Sequence, residues 1–298
     1  GRSAASALYG DTLKNSATRL EKYAACAFAH FMEFGLQIRD RDQYELKAAD
    51  MGTVMHEALE KFSKKLQENG ETWKTVTDDT RDRLIEECVE ETMADYGNTI
   101  FQSSSRNQYR IIRVKRILKR TVWALQQQIR QGEFEPGEFE VSFSMEDSLS
   151  AINIDLSEHE KMRLRGRIDR VDLCETDDKV YVKIIDYKTG NTSLDLVALY
   201  YGLQLQLMVY MNTAREEQQQ KKKQCIVIPA GILYYHIDDP FVTSDNFRDF
   251  AGNQPVGSDE QNEDYSDSSG AAEDVLSILE QLAVDGLVLD DGDAVRHM

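Results

Sequence analysis

Asp169 sits in the segment RGRIDRVDLC, and Asp186 and Lys188 close the segment VYVKIIDYK that follows it. Alternate residues of a β-strand share a face, so Asp186 and Lys188 project together. Two carboxylates and a lysine gathered in this way offer hard oxygen ligands to a divalent cation and an ammonium beside a bound water. That is the chemistry of metal-assisted phosphodiester hydrolysis. Glu140, on the strand-like segment before them, is a further but weaker carboxylate candidate. An isolated D-x-K is common on solvated strands, so the signal lies in its company. Met51–His56 reads G-x-x-x-H from Gly52, Gly166–Asp169 reads G-x-[IV]-D, and Lys188-Thr189-Gly190 closes a strand with a turn. Gln206 and Tyr210 stand four apart and share one face of a helix. Taken singly, His56, Arg167 and Tyr187 read as residues that support the fold; in this order the set is specific.

The elements that must position these residues follow from apolar spacing. Asn15-Ser16 precedes ATRLEKYAACAFAHFMEFGL, a helical run with Gly35 as its C-cap. Further helices are expected over Asp50–Glu68, Thr77–Tyr96 and Ser105–Arg130. Strand character begins at Phe139 and continues in LRGRIDRVDLC and VYVKIIDYK, joined by the turn Glu175–Asp178. An amphipathic helix over Leu194–Asn212, a strand region over Cys225–Ile237, a helix from Glu273 to about Val284 and a strand near GLVLDD complete the reading. It divides into a helical annex carrying G-x-x-x-H (1–135), an α/β core (136–240), an acidic flexible loop (241–274), and a C-terminal helix and strand that complete or flank the core (275–298).

The chain has 298 residues, 41% hydrophobic and 30% charged, as in a water-soluble globular protein. No apolar run approaches the ~20 residues that span a bilayer. No basic-then-apolar leader is visible, and a cytoplasmic location is expected. The opening Gly-Arg-Ser-Ala-Ala-Ser reads as a tag remnant or a piece cut from a longer chain. The cysteines Cys26, Cys88, Cys174 and Cys225 form no C-x-x-C pair, which argues against zinc and against a secreted disulfide scaffold. A net charge of −18 opposes strong independent binding to nucleic acid. Much of the acid lies in Asp238–Asp274, whereas Arg106–Arg130 is a basic stretch.

The ordered motifs resemble the RecB-type nuclease branch of the PD-(D/E)XK superfamily. That resemblance implies a restriction-endonuclease-like α/β core, with a mixed sheet flanked by helices and an N-terminal helical annex. It implies Mg²⁺ or Mn²⁺ held by His56, Asp169, Asp186 and the carbonyl of Tyr187, with Lys188 as the catalytic lysine. Gln206 and Tyr210, with Arg167, would support the site and contact DNA. The segments beginning SATRLEKYAACAF, PAGILYYHIDDP and DGLVLDD are similar to the carboxy-terminal region of the AddB family, the B subunits of bacterial AddAB helicase–nucleases. The implied activity is an exonuclease acting on a single strand of unwound duplex during double-strand break processing, and the implied partner is an AddA-type helicase–nuclease subunit. The family also holds an iron–sulfur cluster through one cysteine before the nuclease motifs and three after them. Cys26 matches the first of these; Cys88, Cys174 and Cys225 match none, so the cluster is not expected to assemble on this chain. Two other readings are a nuclease-like module that holds DNA or docks a subunit with a weak or idle site, and a standalone RecB-like exonuclease. The AddB-like flanks disfavour the latter.

Overall fold

The computed structural model describes residues 7, 10, 12–38, 48–95, 105–143, 152–157, 160–239, 278–279 and 282–298. Its elements are β1 (Thr12–Asn15), α1 (Ala17–Ala25), α2 (Ala27–His30), α3 (Ala48–Glu68), α4 (Asp78–Asp95), α5 (Ser105–Gln131), β2 (Glu135–Phe143), β3 (Asn153–Asp155), β4 (Lys161–Leu164), β5 (Gly166–Glu175), β6 (Lys179–Lys188), α6 (Leu196–Tyr200), α7 (Gln206–Lys221), β7 (Ile226–His236), β8 (Val284–Val288) and α8 (Gly292–His297). The fold is mixed α/β. A five-stranded sheet in the order β2-β5-β6-β7-β8 is antiparallel except for the parallel pair β6–β7. A small second sheet has the order β1-β4-β3.

Both faces of the large sheet are covered, and the strand residues alternate accordingly. Ile185, Tyr187, Leu233 and Tyr235 pack with Val54, Ala58 and Phe62 of α3 and with the apolar stripes of α4 and α5. The intervening Ile184, Ile232 and Tyr234 pack with Leu207, Met211 and Ala214 of α7. On α3 the buried residues recur four apart, which is what one apolar helix face requires. The parallel pairing of β6 with β7 slips at Val182–Lys183, opposite Pro229, a residue that cannot donate to the ladder. At Gly286 a side chain would collide with the Ile232 carbonyl, so only glycine lets β8 close the sheet.

The structure departs from the sequence expectation in several places. The first helical run breaks at Cys26, which is extended (φ −162°, ψ 106°) and caps α2 through its sulfur. Its last turn, Phe31–Gly35, is π-helical, and the left-handed residue is Gln37 (φ 55°) rather than Gly35. LRGRIDRVDLC is two strands in different sheets, parted at Arg165, and the short β1 and β3 had no periodic signal. The expected helix over Leu194–Asn212 is two, parted by a turn with Gly202 in a left-handed conformation (φ 74°), and α7 runs on to Lys221. A helix over 292–297, capped by the Asp291 carboxylate, was unforeseen. The acidic loop at 241–274 lies outside the described residues, and of the helix expected from Glu273 only Ile278 and Leu279 are described as helical.

The basic stretch is largely matched by acids within the fold. Lys115 and Lys119 pair with Glu90 and Glu86 of α4 (2.5 and 2.6 Å), while Arg113, Arg116 and Arg120 converge on buried Asp239. Under the sheet, Asp172 accepts from Arg170 Nε and Nη2 (2.5 and 2.7 Å) and lies 3.3 Å from Lys183 Nζ. Trp73 and Phe134 cover the two cations. Burial alone would raise the Asp172 pKa, but Arg170 and Lys183 outweigh it and hold the carboxyl below its usual range. Removing one partner of such a cluster leaves buried charge uncompensated. Asp172→Ala should therefore lower stability by about 3–5 kcal/mol in urea denaturation; a loss within about 1 kcal/mol would contradict a structural role for the cluster.

Candidate active site

The site forms where the start of β5 meets the end of β6. Phe139 packs against the α3–α5 core, yet Val141, two residues later, packs against the α7 core. β2 therefore turns over at Glu140, whose φ is +49°. β5 does the same beside it: Ile168 lies in the α7 core, whereas Arg170 faces Trp73 on the other side. A non-glycine residue in this region costs on the order of 1–3 kcal/mol and persists only where its surroundings fix it. The two turnovers bring Glu140 and Asp169 to one point, where α3 adds His56. Ligand atoms of His56, Glu140 and Asp169 all lie within 4.8 Å of one another.

Asp169 Oδ2 accepts the Tyr187 backbone N–H at 2.8 Å and lies 3.4 Å from His56 Nδ1. Asp186 Oδ2 is 2.6 Å from Lys188 Nζ, as expected of alternate residues on one strand. Gln206 joins the pair: its Nε2 donates to Asp186 Oδ1 and its Oε1 accepts from Lys188 Nζ, both at 3.0 Å. The same amide lies 3.0 Å from the Tyr210 hydroxyl, one helical turn on. Arg167 Nε is 2.5 Å from Glu140 Oε2. Gly52 faces Thr189, where a Cβ would come within 3.1 Å of the Thr189 hydroxyl, so α3 approaches the turn after Lys188 closely.

Thus His56, Arg167, Asp169, Asp186, Tyr187, Lys188, Gln206 and Tyr210 lie in one connected set. Tyr187 meets Asp169 through its N–H, and its ring stands edge-on to His56 at 5.8 Å. Cys26 is exposed and belongs to neither group of side chains that could hold a metal ion among the described residues, the second being Glu133, Cys174 and His297 toward the other end of β5. Glu140 carries more than its sequence position suggested, because the left-handed residue that aims it leaves no mark in the strand pattern. Glu21 was not foreseen at all. Its Oε1 accepts the N–H groups of Leu205 and Gln206 (2.6 and 2.9 Å) across 184 and 185 residues and so fixes the start of α7.

The crowding of the acids shifts their titration. Burial and the neighbouring Asp169 carboxylate push Asp186 up to about 6, against the pull of Lys188. Burial and Asp169 push Glu140 up to about 7, against Arg167. Burial alone would lower the His56 pKa, but Asp169, Asp186 and Glu140 outweigh it and raise the value. Crowded acids that resist ionising, beside an imidazole, are a donor set that could hold a divalent cation.

A sequence profile described as the PD-(D/E)XK nuclease superfamily matches residues 14–290. The chain is also similar to several bacterial proteins, each named as the B subunit of an ATP-dependent helicase/deoxyribonuclease. It is 50% identical over 236 residues to the one from Lachnoclostridium phytofermentans, covering 79% of this chain and 20% of that protein. For Alkaliphilus metalliredigens the identity is 42% over 243 residues, covering 81% and 21%. For Clostridium acetobutylicum it is 35% over 291 residues, covering 98% and 23%. The chain thus spans about a fifth of the length of these relatives.

An acid whose pKa is raised by folding stabilises the fold while protonated and loses that contribution as the pH rises through the folded value. In chelator, the melting temperature should therefore fall as pH rises from about 5 to about 8, across the values of Asp186 and Glu140. Mn²⁺ should reverse the fall, and Asp186→Asn should flatten it. A melting temperature that rises through this window, or one indifferent to Mn²⁺, would contradict the site.

Proposed function

Because the chain belongs to the PD-(D/E)XK nuclease superfamily, we propose that it is the metal-dependent nuclease module of an AddAB-type helicase–nuclease. In this reading it hydrolyses single-stranded DNA during double-strand break processing, as a cytoplasmic exonuclease beside an AddA-type subunit. The observation that carries the reading is the convergence of Asp169, Asp186, Lys188 and Gln206, with His56 and Glu140 completing an acidic seat. The names of the relatives support the assignment to the B subunit. No helix among the described residues is long and apolar enough to cross a membrane.

His56, Asp169 and Asp186, with Glu140, would hold Mg²⁺ or Mn²⁺; the Tyr187 carbonyl completes the set that the family resemblance implies. Held there, the cation would supply a bound water of lowered pKa and offset charge on the scissile phosphate. Lys188 donates to Gln206 Oε1 and forms an ion pair with Asp186, which leaves ammonium donors for the attacking water or the phosphate. Gln206 keeps that ammonium and the Asp186 carboxylate in register, and Tyr210 and Glu21 keep Gln206 in place. Arg167, paired with Glu140, would contact the incoming strand.

The second reading, a module that holds DNA or docks a subunit with an idle site, draws on the net charge of −18 and on the matched basic face of α5. Cleavage of end-labelled single-stranded DNA with Mg²⁺ or Mn²⁺, beside Asp186→Ala, separates the two. The nuclease reading expects metal-dependent cutting that is lost in the variant while its melting transition persists. Cutting by Asp186→Ala would sink the site assignment, and no cutting by the unchanged chain would favour the holding module. Lys188→Ala should lower the rate by about 10²–10³-fold, and Gln206→Ala by less. Equal loss in both would give Gln206 a direct role in the chemistry.

A further inference from the structure

Beside the metal-ligand cluster, a cavity of about 400 Å³ opens between the first turn of α1 and the start of β5. Thr18, Phe143, Arg165, Gly166, Arg167 and Tyr210 line it. We propose that this cavity is a phosphate subsite, in which Arg165 and Arg167 grip an internal backbone phosphate of the single strand next to the one being cut. The proposal rests on the nuclease reading and adds to it where the strand lies and which side chains hold it.

Four observations carry it. First, Arg165 is exposed, and its guanidinium makes no hydrogen bond or ion pair with the described residues; only its backbone N–H is engaged, by Asn15. In a chain of net charge −18, where Arg167, Lys188 and Arg116 are matched by Glu140, Asp186 and Asp239, a guanidinium without such a match among the described residues, lining a cavity, stands out. Second, Arg167 reaches the same space while bridging to Glu140, which ties the cavity to the acidic seat. Third, the wall is shaped by a missing side chain. A Cβ on Gly166 would lie 2.5 Å from Phe143 Cζ and 3.1 Å from Tyr210 Cε1, so glycine lets the two rings stand edge to face at 5.8 Å. Fourth, the position suits a neighbouring phosphate rather than the scissile one. Arg167 precedes Asp169 by two strand residues, about 7 Å, and Tyr210 reaches Asp186 through Gln206.

The chemistry matches the ligand. Guanidinium forks bind phosphate oxygens with paired, charge-assisted hydrogen bonds, and lysine does so only as a point charge. A protein of net charge −18 gains from a few such contacts in holding a strand, and each neutralised phosphate adds to the salt dependence of binding.

The test is fluorescence anisotropy of a labelled oligothymidylate, with and without a terminal phosphate. It is titrated with the unchanged chain and its variants in Ca²⁺ over a range of salt, with cleavage in Mg²⁺ followed in parallel. Arg165→Ala should weaken binding about tenfold and lower the salt slope by about 0.7, whether or not the terminal phosphate is present. Arg165→Lys should recover part of the loss. Lys223→Ala, which removes a cation near the opposite end of the sheet, should change neither quantity. Binding by Arg165→Ala within about twofold of the unchanged chain, measured on a folded variant, overturns the subsite and leaves the nuclease reading standing if cleavage persists. A defect confined to the phosphorylated oligomer shows that the cavity holds a strand end, which overturns the internal-phosphate assignment. Failure of the unchanged chain both to bind and to cut overturns this proposal and the nuclease reading together.

Discussion

Asp169 and Asp186 sit one register step beyond the antiparallel pair Arg170–Ile185, only 7% and 2% exposed, with Glu140 pressed in from β2. Carboxylates buried this close cannot all ionise without a compensating charge, and the surrounding fold is arranged around that conflict. Lys188 and Gln206 bind Asp186, the Tyr187 N–H and His56 engage Asp169, and Arg167 faces Glu140. Each partner answers part of the repulsion, yet Asp186 and Glu140 still keep raised pKa values. A divalent cation held there would answer what remains of the repulsion.

The rest of the architecture makes this crowding tolerable. The two cores clamp β6 and β7 from both faces, and the buried Arg170–Asp172–Lys183 cluster anchors β5 and β6 one to three residues from Asp169 and Asp186. α3 carries His56 and reaches the turn after Lys188 through Gly52. α7 carries Gln206 and Tyr210, with its first turn held by Glu21 from α1. The strand reversals at Glu140 and Asp169 concentrate backbone irregularity where the acids meet, as is usual at a functional site.

Much of this was legible in the residues. The strand alternation of VYVKIIDYK and the spacing of Gln206 and Tyr210 locate the polar set, because both depend only on local periodicity. The α3, α4 and α5 helices follow from apolar stripes for the same reason. What was not legible depends on long-range contact or on single dihedrals. The break at Arg165 parts two strands that read as one apolar run, and the break around Gly202 parts two helices that share one pattern. Glu21 caps a helix nearly two hundred residues away, and Glu140 owes its aim to one left-handed residue. The basic run on α5 read as a counterweight to the acidity of the chain, yet α4 and Asp239 match most of it. Charge counted along a chain does not say which charges are already paired in the fold.

On the nuclease reading the crowded acids would form a ready seat for a divalent cation. Calorimetric titration with Mn²⁺ in buffers of different ionisation enthalpy tests it most directly, because binding must displace the protons that Asp186 and Glu140 retain. At about pH 6, between ordinary carboxylate values and those of the site, binding should release on the order of one proton per ion. The release should shrink toward zero above about pH 8. Binding without proton release at the lower pH, or no binding at either, would contradict the account.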